Sequence, residues 1–198
     1  MSQNQTKKNG LIIIISGPSG SGKTTLLSRL FESAELRRKL IRSISLTTRP
    51  RRSGEKSGRD YFFISQKRFL EQRKAKKILE WTRYLGYYYA TPRFFIKQEL
   101  KKGKNIALCL DFKGALKLKR FFPRKTILIF IRPPSIKALW RRITQRCQQT
   151  KPDEIQQRIR MARQEVGMSG VYDYRLVNKN LDETAQKLKN IILKEIAS

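Results

Sequence analysis

Uninterrupted apolar runs and amphipathic stretches alternate along this chain, and each pattern predicts a different element. The run from Leu11 to Ile15 contains only strand-forming apolar residues, which is typical of a strand buried on both faces of a parallel sheet. Apolar residues between positions 26 and 31 then recur at the spacing of one helical face. Further strands are predicted at 105–110, 126–131 and 174–177, and helices at 23–33, 93–102, 114–121, from 133 onward and from 182 onward. This alternation predicts an α/β fold in which helices flank a parallel sheet.

Two further patterns predict which faces turn toward the core. Polar and apolar residues alternate from Ile41 to Thr47, so Ile44 and Leu46 are expected to meet the core while the hydroxyl groups between them face a cleft. The helix that begins near Pro133 is amphipathic. Its core face is predicted to carry Ile136, Leu139, Trp140 and Ile143.

Between the first strand and the first helix lies a loop of the form G-x-x-x-x-G-K-[ST]. Glycines let consecutive backbone N–H groups point inward together, and the helix N-terminus adds a positive dipole end. We expect Lys23 to bring a charge to the β- and γ-phosphates of a nucleoside triphosphate, and Thr24 to offer its hydroxyl to Mg²⁺. The alternative is a plain Gly/Ser-rich turn, which the strand-loop-helix context disfavours. The predicted ATP-binding residues here are Gly17, Pro18, Ser19, Gly20, Ser21, Gly22, Lys23, Thr24 and Thr25.

The chain is strongly basic, with 45 Lys and Arg against 15 Asp and Glu in 198 residues and a formal net charge of +30. The charge is scattered over nearly every predicted element, which favours a generally basic surface over a dedicated nucleic-acid site. We expect non-specific affinity for RNA or DNA as a salt-sensitive side property. There is no histidine, so hydrolytic and His-ligated zinc chemistry lose their commonest base and ligand. Phosphoryl transfer remains open, because it depends on positioning and charge neutralisation.

Composition also bears on location. Cys109 and Cys147 lie far apart without metal-ligand spacing, and no hydrophobic signal segment precedes them. They are expected to be reduced thiols in the cytoplasm. The longest apolar runs fall far short of a membrane span, so we expect no membrane association.

A second phosphate site is indicated by the loop from Thr48 to Tyr61, which is dense in guanidinium groups and broken by Pro and Gly. The motifs in and around this loop closely resemble the GMP-binding lobe of guanylate kinases, in order and in spacing. They are S-x-T-T-R-x-x-R-x-G-E from Ser45, G-R-D-Y from Gly58, E-W from Glu80 and G-x-x-Y-x-T from Gly86. With the phosphate loop and the later segments, the similarity covers positions 11–193.

The resemblance implies a single guanylate-kinase-like domain of the P-loop type, with an inserted mixed-β lobe for GMP and a helical lid. The implied boundaries are 11–41, 93–134 and 166–198 for the core, 42–92 for the lobe and 135–165 for the lid. It also implies the reaction, the reversible transfer of the ATP γ-phosphoryl group to GMP or dGMP with Mg²⁺. ATP and GMP would be the substrates, and no obligate protein partner is expected.

Resemblance likewise assigns the acceptor residues. Two arginines and two tyrosines would bind the GMP phosphate, namely Arg49, Arg52, Tyr61 and Tyr89. Glu80 would grip the guanine N1–H and N2–H₂, which adenine cannot offer. The other residues implied to bind GMP are Ser45, Glu55, Thr91 and Asp111. From the residues alone, other roles stay open: the tyrosines as sheet aromatics, Thr91 with Pro92 as a helix start, and Asp111 as an Mg²⁺ ligand.

In the lid, the resemblance singles out Arg142, Arg146 and Arg158 as arginines that close over ATP and, with Lys23 and Arg52, act in catalysis. Asn178 would contact the adenine. The alternative is a solvated helix face, which we favour for Arg141, Arg160 and Arg163. The chain departs from the family pattern at three positions, with Ala90 and Cys147 in place of glycine and Cys109 in place of aspartate.

Three other functions remain open from sequence alone. A guanylate-kinase-like module that only binds protein partners typically has a degraded phosphate loop, and the intact loop here argues against it. A nucleic-acid-binding protein on a kinase scaffold is supported by net charge alone. A kinase for a sugar phosphate is disfavoured by the guanine-side residues Ser45, Glu80 and Asp111.

Overall fold

The apolar runs of the sequence form the strands of a central sheet, and amphipathic helices cover them. The computed structural model describes residues 10–146 and 152–198, with Arg146 described by its backbone alone. In chain order the first half contains β1 (Ile12–Ser16), α1 (Lys23–Leu30), α2 (Ala34–Lys39), β2 (Leu40–Arg42), β3 (Leu46–Thr47), β4 (Phe62–Phe63), α3 (Gln66–Lys74), β5 (Ile78–Tyr84) and β6 (Tyr87–Pro92). The second half contains α4 (Arg93–Lys101), β7 (Asn105–Cys109), α5 (Phe112–Phe121), β8 (Thr126–Arg132), α6 (Ile136–Arg146), α7 (Pro152–Gly167), a 3₁₀ turn (Ser169–Val171), β9 (Tyr174–Val177) and α8 (Leu181–Ala197).

The central sheet has five strands in the order β2-β7-β1-β8-β9, and every pairing in it is parallel. All five residues of β1 are buried, as expected for the middle strand of a sheet covered on both faces. Its side chains alternate between two apolar clusters: Ile12 packs on the side of α4 and α5, and Ile13 packs on the side of α1 and α8. This confirms the predicted α/β fold with a parallel sheet flanked by helices.

A second sheet of four strands, in the order β4-β3-β6-β5, forms the inserted lobe. It is mixed, because β3 pairs in parallel with β4 whereas β6 is antiparallel to both β3 and β5. Its small core is centred on Phe69 from α3, whose ring stacks on Tyr88 with 4.4 Å between centroids and meets the edge of Trp81. The lobe therefore has its own apolar centre, separate from the core of the main sheet.

The alternating stretch from Ile41 to Thr47 is not one continuous strand, because it belongs to both sheets. The main sheet takes it as far as Arg42, and Leu46 begins the lobe strand β3. Thr47 also differs from the prediction: its hydroxyl donates to the Tyr88 carbonyl at 3.1 Å and accepts from the Arg49 N–H, so it does not face the cleft. Strand periodicity is the same in both sheets, so the pattern could not show where the chain changes sheet.

Three helix predictions are also corrected. The first helix ends at Leu30 instead of near Ser33, and a second short helix, α2, follows it. Trp140 lies with 54% of its surface exposed, so only Leu139 and Ile143 of the predicted face are fully buried. Thr91 lies within β6, which ends at Pro92, and it does not cap α4, whose N-cap is Pro92. Among the helices of residues 10–146 and 152–198, none combines the length and the apolar character of a transmembrane segment.

Candidate active site

The loop between β1 and α1 is wrapped so tightly that side chains would not fit at its glycines. Gly17, Gly20 and Gly22 all have positive φ, between 86° and 137°. A Cβ on Gly17 would lie 2.3 Å from the Ile131 carbonyl oxygen, and one on Gly22 would lie 2.4 Å from Nδ2 of Asn178. The backbone can therefore curl around a small anion at the start of α1 only because these positions lack side chains.

The ammonium of Lys23 lies over this loop. It donates to the carbonyl oxygens of Gly17 and Pro18, the latter at 2.9 Å. Thr24 and Thr25 follow in the first turn of α1, and both line the cleft above the loop. A cation and a helix N-terminus thus face the same space, which suits a polyphosphate.

Thr24 is also suitably placed for Mg²⁺. In residues 10–146 and 152–198, no group of three or more His, Cys, Asp or Glu side chains comes together as a metal site. Magnesium at phosphoryl-transfer sites keeps several waters and binds through few protein oxygens together with the phosphates. A single hydroxyl beside a phosphate loop fits this mode of Mg²⁺ coordination, which does not require a cluster of carboxylates.

Asn178 and Arg142 lie behind the phosphate loop rather than in the cleft. Asn178 is 3% exposed, and its Nδ2 donates to the Ser21 carbonyl at 2.9 Å. The Asn178 carbonyl in turn accepts from Nη2 of Arg142 at 3.0 Å. The predicted site residues that do not line the cleft are Pro18, Ser21, Thr91, Arg142 and Asn178. Within the described residues, Oδ1 of Asn178 and Nη1 of Arg142 are buried without a hydrogen-bond partner.

On the opposite side of the cleft, Arg49 is held by an ion pair. Its Nη2 donates to both carboxylate oxygens of Glu55, at 2.8 and 3.0 Å, and Oε2 of Glu55 also accepts from the Arg52 N–H at 2.9 Å. Burial acts to lower the pKa of Arg49, but the Glu55 hydrogen bond carries it above its usual value. Burial acts in the opposite direction on Glu55, whose pKa is nonetheless lowered by Arg49. Glu55 therefore orients the arginines, and its oxygens are already used.

Two tyrosines complete this side of the cleft, which together with Arg49 and Arg52 is called the basic wall. Tyr61 and Tyr89 both line the cleft, and their rings meet edge to face with centroids 5.9 Å apart. The guanidinium of Arg49 lies 5.7 Å from the centre of the Tyr61 ring. Burial raises the pKa of Tyr61 far above its ordinary value, so its hydroxyl stays a hydrogen-bond donor.

Deeper in the same cleft, two carboxylates converge on one glycine. Glu80 is 4% exposed, and its Oε1 accepts from the Thr91 hydroxyl at 2.6 Å. Asp111 caps α5, with Oδ1 accepting from the Gly114 N–H at 2.7 Å. A Cβ on Gly114 would lie 2.8 Å from Oε2 of Glu80 and 3.2 Å from Oδ1 of Asp111. This Glu80 oxygen is buried and has no hydrogen-bond partner among the described residues.

The pKa of Glu80 lies near neutral pH. Burial raises its pKa to about 7, the Thr91 hydrogen bond opposes this, and the neighbouring Asp111 adds to it. An unpartnered buried carboxylate oxygen costs free energy, which a ligand carrying adjacent N–H groups would recover. Ser45, 8% exposed, lines the cleft on this side too.

The departures at Ala90 and Cys109 lie in or beside this cleft. Ala90 is 1% exposed, so its methyl group is accommodated in the lobe core. Burial raises the pKa of the Cys109 thiol to about 11, so the thiol is neutral near pH 7. Cys109 therefore brings no negative charge to the floor of the cleft.

From the lid, Arg158 reaches the phosphate loop. Its Nη1 donates to Oγ of Ser19 at 2.9 Å, while Nε and Nη2 donate to Oε1 of Glu154 at 2.9 and 2.5 Å. Arg141, Arg160 and Arg163 are exposed, as predicted. The side chain of Arg146 and all of Cys147 lie outside the described residues.

These walls enclose one cleft of about 1060 Å³. Its lining includes the phosphate loop as well as Arg49 and Glu80. Ligand pockets run from ~300 to ~1000 Å³, so this cleft lies at the upper end of that range. The family model described as guanylate kinase matches residues 9–195.

The chain belongs to the guanylate kinase family.

Its relatives match over nearly their whole length. A guanylate kinase of Wolbachia pipientis wMel is 36% identical over 189 residues, which cover 96% of this chain and 92% of the relative. One of Bacillus subtilis strain 168 is 39% identical over 189 residues, covering 96% and 91%. The crystal structure of guanylate kinase from Anaplasma phagocytophilum superposes with a TM-score of 0.79 at 30% identity, covering 96% of this chain and 88% of that one.

Sequence reasoning missed several residues in or beside this guanylate kinase cleft, among them Gly114, Glu165 and Tyr84. Gly114 was taken as the first residue of a helix, although a glycine inside a helix costs stability and signals a close approach. Glu165, on α7, has a buried Oε2 without a partner in the described chain, and burial raises its pKa against the field of Lys23. Tyr84 lines the cleft from the end of β5. Nothing in the local pattern distinguishes these last two from ordinary helix and strand residues.

Proposed function

We propose that this protein catalyses the reversible transfer of the γ-phosphoryl group of ATP to GMP or dGMP, giving ADP and GDP. One observation carries the proposal: a phosphate cradle and a carboxylate with a buried, unpartnered oxygen line the same cleft. The cradle suits the polyphosphate of ATP, and the carboxylate suits the N1–H and N2–H₂ edge of guanine. We assign the reaction to purine nucleotide metabolism and to the cytoplasm.

The acceptor phosphate is bound, in this proposal, by Arg49, Arg52, Tyr61 and Tyr89. Guanidinium forks and phenol hydroxyls match the oxygens of a dianion. The Glu55 ion pair supports this arrangement, because it holds the Arg49 guanidinium in place at the edge of the cleft. Glu55 thereby contributes to GMP binding without touching the nucleotide.

The guanine is recognised by Glu80, with Ser45, Thr91 and Asp111 around it. Thr91 keeps one oxygen of Glu80 in place, which directs the other toward the base. Adenine presents an acceptor at N1, so a carboxylate would repel it. A site left with unpaired polar groups can reject an analogue by about 10⁴.

The donor is held by the loop from Gly17 to Thr25, which Asn178 supports from behind through its hydrogen bond to the Ser21 carbonyl. For the adenine contact that the resemblance implies, the buried Oδ1 of Asn178 would have to become accessible when ATP binds. Thr24 would hold Mg²⁺, which when bound neutralises charge on the phosphate oxygens. Lys23, Arg52 and the lid residues Arg142, Arg146 and Arg158 supply the remaining positive charge. Arginines delivered in this way can be worth about 10³ to 10⁵ in rate.

No protein base is needed for this chemistry. The acceptor phosphate, with a second pKa of about 6, is already largely dianionic at pH 7 and is its own nucleophile. The protein's residues orient this oxygen in line with the donor and exclude water from the cleft. The absence of histidine is therefore compatible with the reaction.

We further propose three functional parts. The core comprises 11–41, 93–134 and 166–198, the GMP lobe 42–92 and the lid 135–165. A lid that carries arginines separately from the lobe that carries GMP allows each substrate to bind before the reacting groups meet.

Label transfer tests this proposal. The terminal phosphate of ATP is labelled, and its appearance in GDP is compared with its appearance in inorganic phosphate. We expect label in GDP only with wild-type protein, and no transfer with Lys23→Ala, which should still bind GMP by calorimetry. Label released mainly as inorganic phosphate would contradict the proposal.

The net charge of +30 supports one side property, a weak and non-specific affinity for nucleic acids. It is not needed for the kinase reaction. We propose no obligate protein partner.

A further inference from the structure

Three parts of the molecule meet at one point beside the phosphate loop. Ser19 belongs to the loop, Arg158 to the lid helix α7 and Tyr84 to the last position of the lobe strand β5. All three line the cleft. The Tyr84 side chain comes from the acceptor lobe, yet it reaches the donor end of the site.

The guanidinium of Arg158 is enclosed on three sides. Glu154 accepts two hydrogen bonds from it, Ser19 accepts one at 2.9 Å, and the Tyr84 ring lies below it with 6.0 Å from Cζ to the ring centre. Only 11% of the Arg158 side chain is exposed. Glu154 lies on the same helix, so the contacts with Ser19 and Tyr84 are those that fix Arg158 relative to the rest of the site.

The Tyr84 side chain is itself well fixed. Burial raises the pKa of Tyr84 to about 12, and both Arg158 and a hydrogen bond with the Ser19 side chain act against this. The turn after it holds two residues with positive φ, Leu85 at 48° and Gly86 at 82°. Tyr84 and Tyr87 pair directly across this turn, so the hairpin presents the ring from a defined backbone.

We propose that Tyr84 is a positioning residue, which holds the guanidinium of Arg158 over the phosphate loop through its ring face. The inference rests on the proposed function, in which Arg158 neutralises charge on the transferring phosphoryl group. An arginine on a long side chain loses conformational freedom when it docks, and a fixed aromatic face below it reduces that loss. Because Tyr84 belongs to the acceptor lobe, this contact ties the lid arginine to the half of the protein that binds GMP.

Substitution of Tyr84 should change turnover while leaving acceptor binding in place. For Tyr84→Leu we expect kcat to fall about tenfold, the size of a partly desolvated cation–π contact, with KM for GMP changed little. Tyr84→Phe keeps the ring and should restore kcat to within about threefold of wild type. Arg83→Ala is the matched control, since Arg83 is the exposed neighbour on the same strand and its side chain points to the other face.

A double-mutant cycle separates positioning from a merely structural role. If Tyr84 acts through Arg158, then adding Tyr84→Leu to Arg158→Ala should cause no further loss of kcat. Two losses that multiply in the double variant would overturn the inference. So would a Tyr84→Phe variant as slow as Tyr84→Leu.

Failure of this inference can be distinguished from failure of the proposed function. Wild-type turnover that does not depend on Tyr84 overturns this inference alone. If the wild-type protein phosphorylates no acceptor, the proposed function fails, and this inference fails with it.

Discussion

In the proposed function, acceptor choice depends on Glu80. One oxygen is fixed by Thr91, and the other is buried beside Gly114 with no partner among the described residues. Its pKa is raised to about 7, mainly by burial, so the free protein holds this group near the midpoint of its titration at neutral pH. Recognition of the acceptor base should therefore depend on whether Glu80 is ionised.

Acceptor affinity should fall as the pH falls through 7. Ionised Glu80 accepts from both guanine N–H groups, whereas the protonated form can accept from only one. We expect KM for GMP to rise about tenfold per pH unit below pH 7, while KM for ATP changes much less. Steady-state kinetics from pH 8 to pH 6 measure this, and Glu80→Gln, which has no titration here, removes the dependence beyond that of the GMP phosphate. A wild-type KM as flat as that of the variant would contradict the assignment.

The same shift has a consequence for stability. The folded-state pKa of Glu80, about 7, lies above its ordinary value of 4.5. Protonated Glu80 thus favours the folded state, a contribution fully present below pH 4.5 and lost as the pH rises through 7. In the free protein, Glu80→Gln should accordingly increase the melting temperature at pH 8 more than at pH 4. Equal changes in melting temperature at both pH values would show that folding does not raise the pKa of Glu80.

Gly114 tests the geometry of the carboxylate pair. A Cβ there would come 2.8 Å from Glu80 and 3.2 Å from Asp111, so Gly114→Ala must displace at least one of them. We expect KM for GMP to rise tenfold or more, about 1.4 kcal/mol, with KM for ATP unchanged. Gly170→Ala is the control, because a Cβ on Gly170 would meet nothing within 4 Å. Equal effects of the two variants would remove Gly114 from the site.

At the scale of elements, the ends of the parallel strands build the donor site. The phosphate loop follows β1, and Asn178 follows β9, whose backbone pairs with β8 up to Val177. Asn178 then reaches under the loop to the Ser21 carbonyl. The loop is thus held from below by the far edge of the sheet as well as by its own glycines.

Asn178→Ala should loosen this support. The Ser21 carbonyl would lose its partner in a buried setting, at a cost of about 1–3 kcal/mol in the free energy of unfolding. We expect a lower melting temperature and a raised KM for ATP, with KM for GMP unchanged. Asn190→Ala serves as control, because Asn190 is exposed on α8 and bonded only along that helix in the described structure. A change in KM for GMP as large as that for ATP would contradict a role confined to the loop.

The elements with strong apolar periodicity were predictable, and those whose partners come from afar were not. The strands at 105–109, 126–132 and 174–177 agree with the predictions within a residue. The break between β2 and β3 was missed because it depends on which sheet offers hydrogen bonds, which local pattern does not encode. Trp140 was assigned to the core on helical spacing, but the described apolar cluster around Leu139 and Ile143 does not include it, and its side chain is exposed.

In the site, the phosphate loop and the basic wall could be predicted from sequence motifs, since both depend on residue type and short spacing. Glu55 lines the cleft, but the motif does not show that its oxygens accept hydrogen bonds from Arg49 and Arg52. The expected effects of Gly114 and Tyr84 depend on side chains from other elements that lie against them, Glu80 for Gly114 and Arg158 for Tyr84. Such contacts across the fold have no local sequence signal.

At the scale of the whole molecule, two sheets and a lid share one cleft in a strongly basic protein. Surface charge of +30 should give weak binding to any polyanion. We expect affinity for single-stranded DNA to fall about 10³-fold or more between ~50 and ~200 mM salt, without base preference. Fluorescence anisotropy with a labelled oligonucleotide at several salt concentrations measures this. Tight binding that persists at physiological salt would instead support a nucleic-acid function.

The central claim is that one cleft joins ATP to a guanine nucleotide, and acceptor discrimination tests it most directly. ADP release from ATP and Mg²⁺ is measured on one preparation with GMP, dGMP, AMP, UMP or no acceptor. We predict turnover with GMP and dGMP alone, and detectable turnover with AMP only in Glu80→Gln. Comparable rates with every acceptor, or ADP release without any acceptor, would contradict the account.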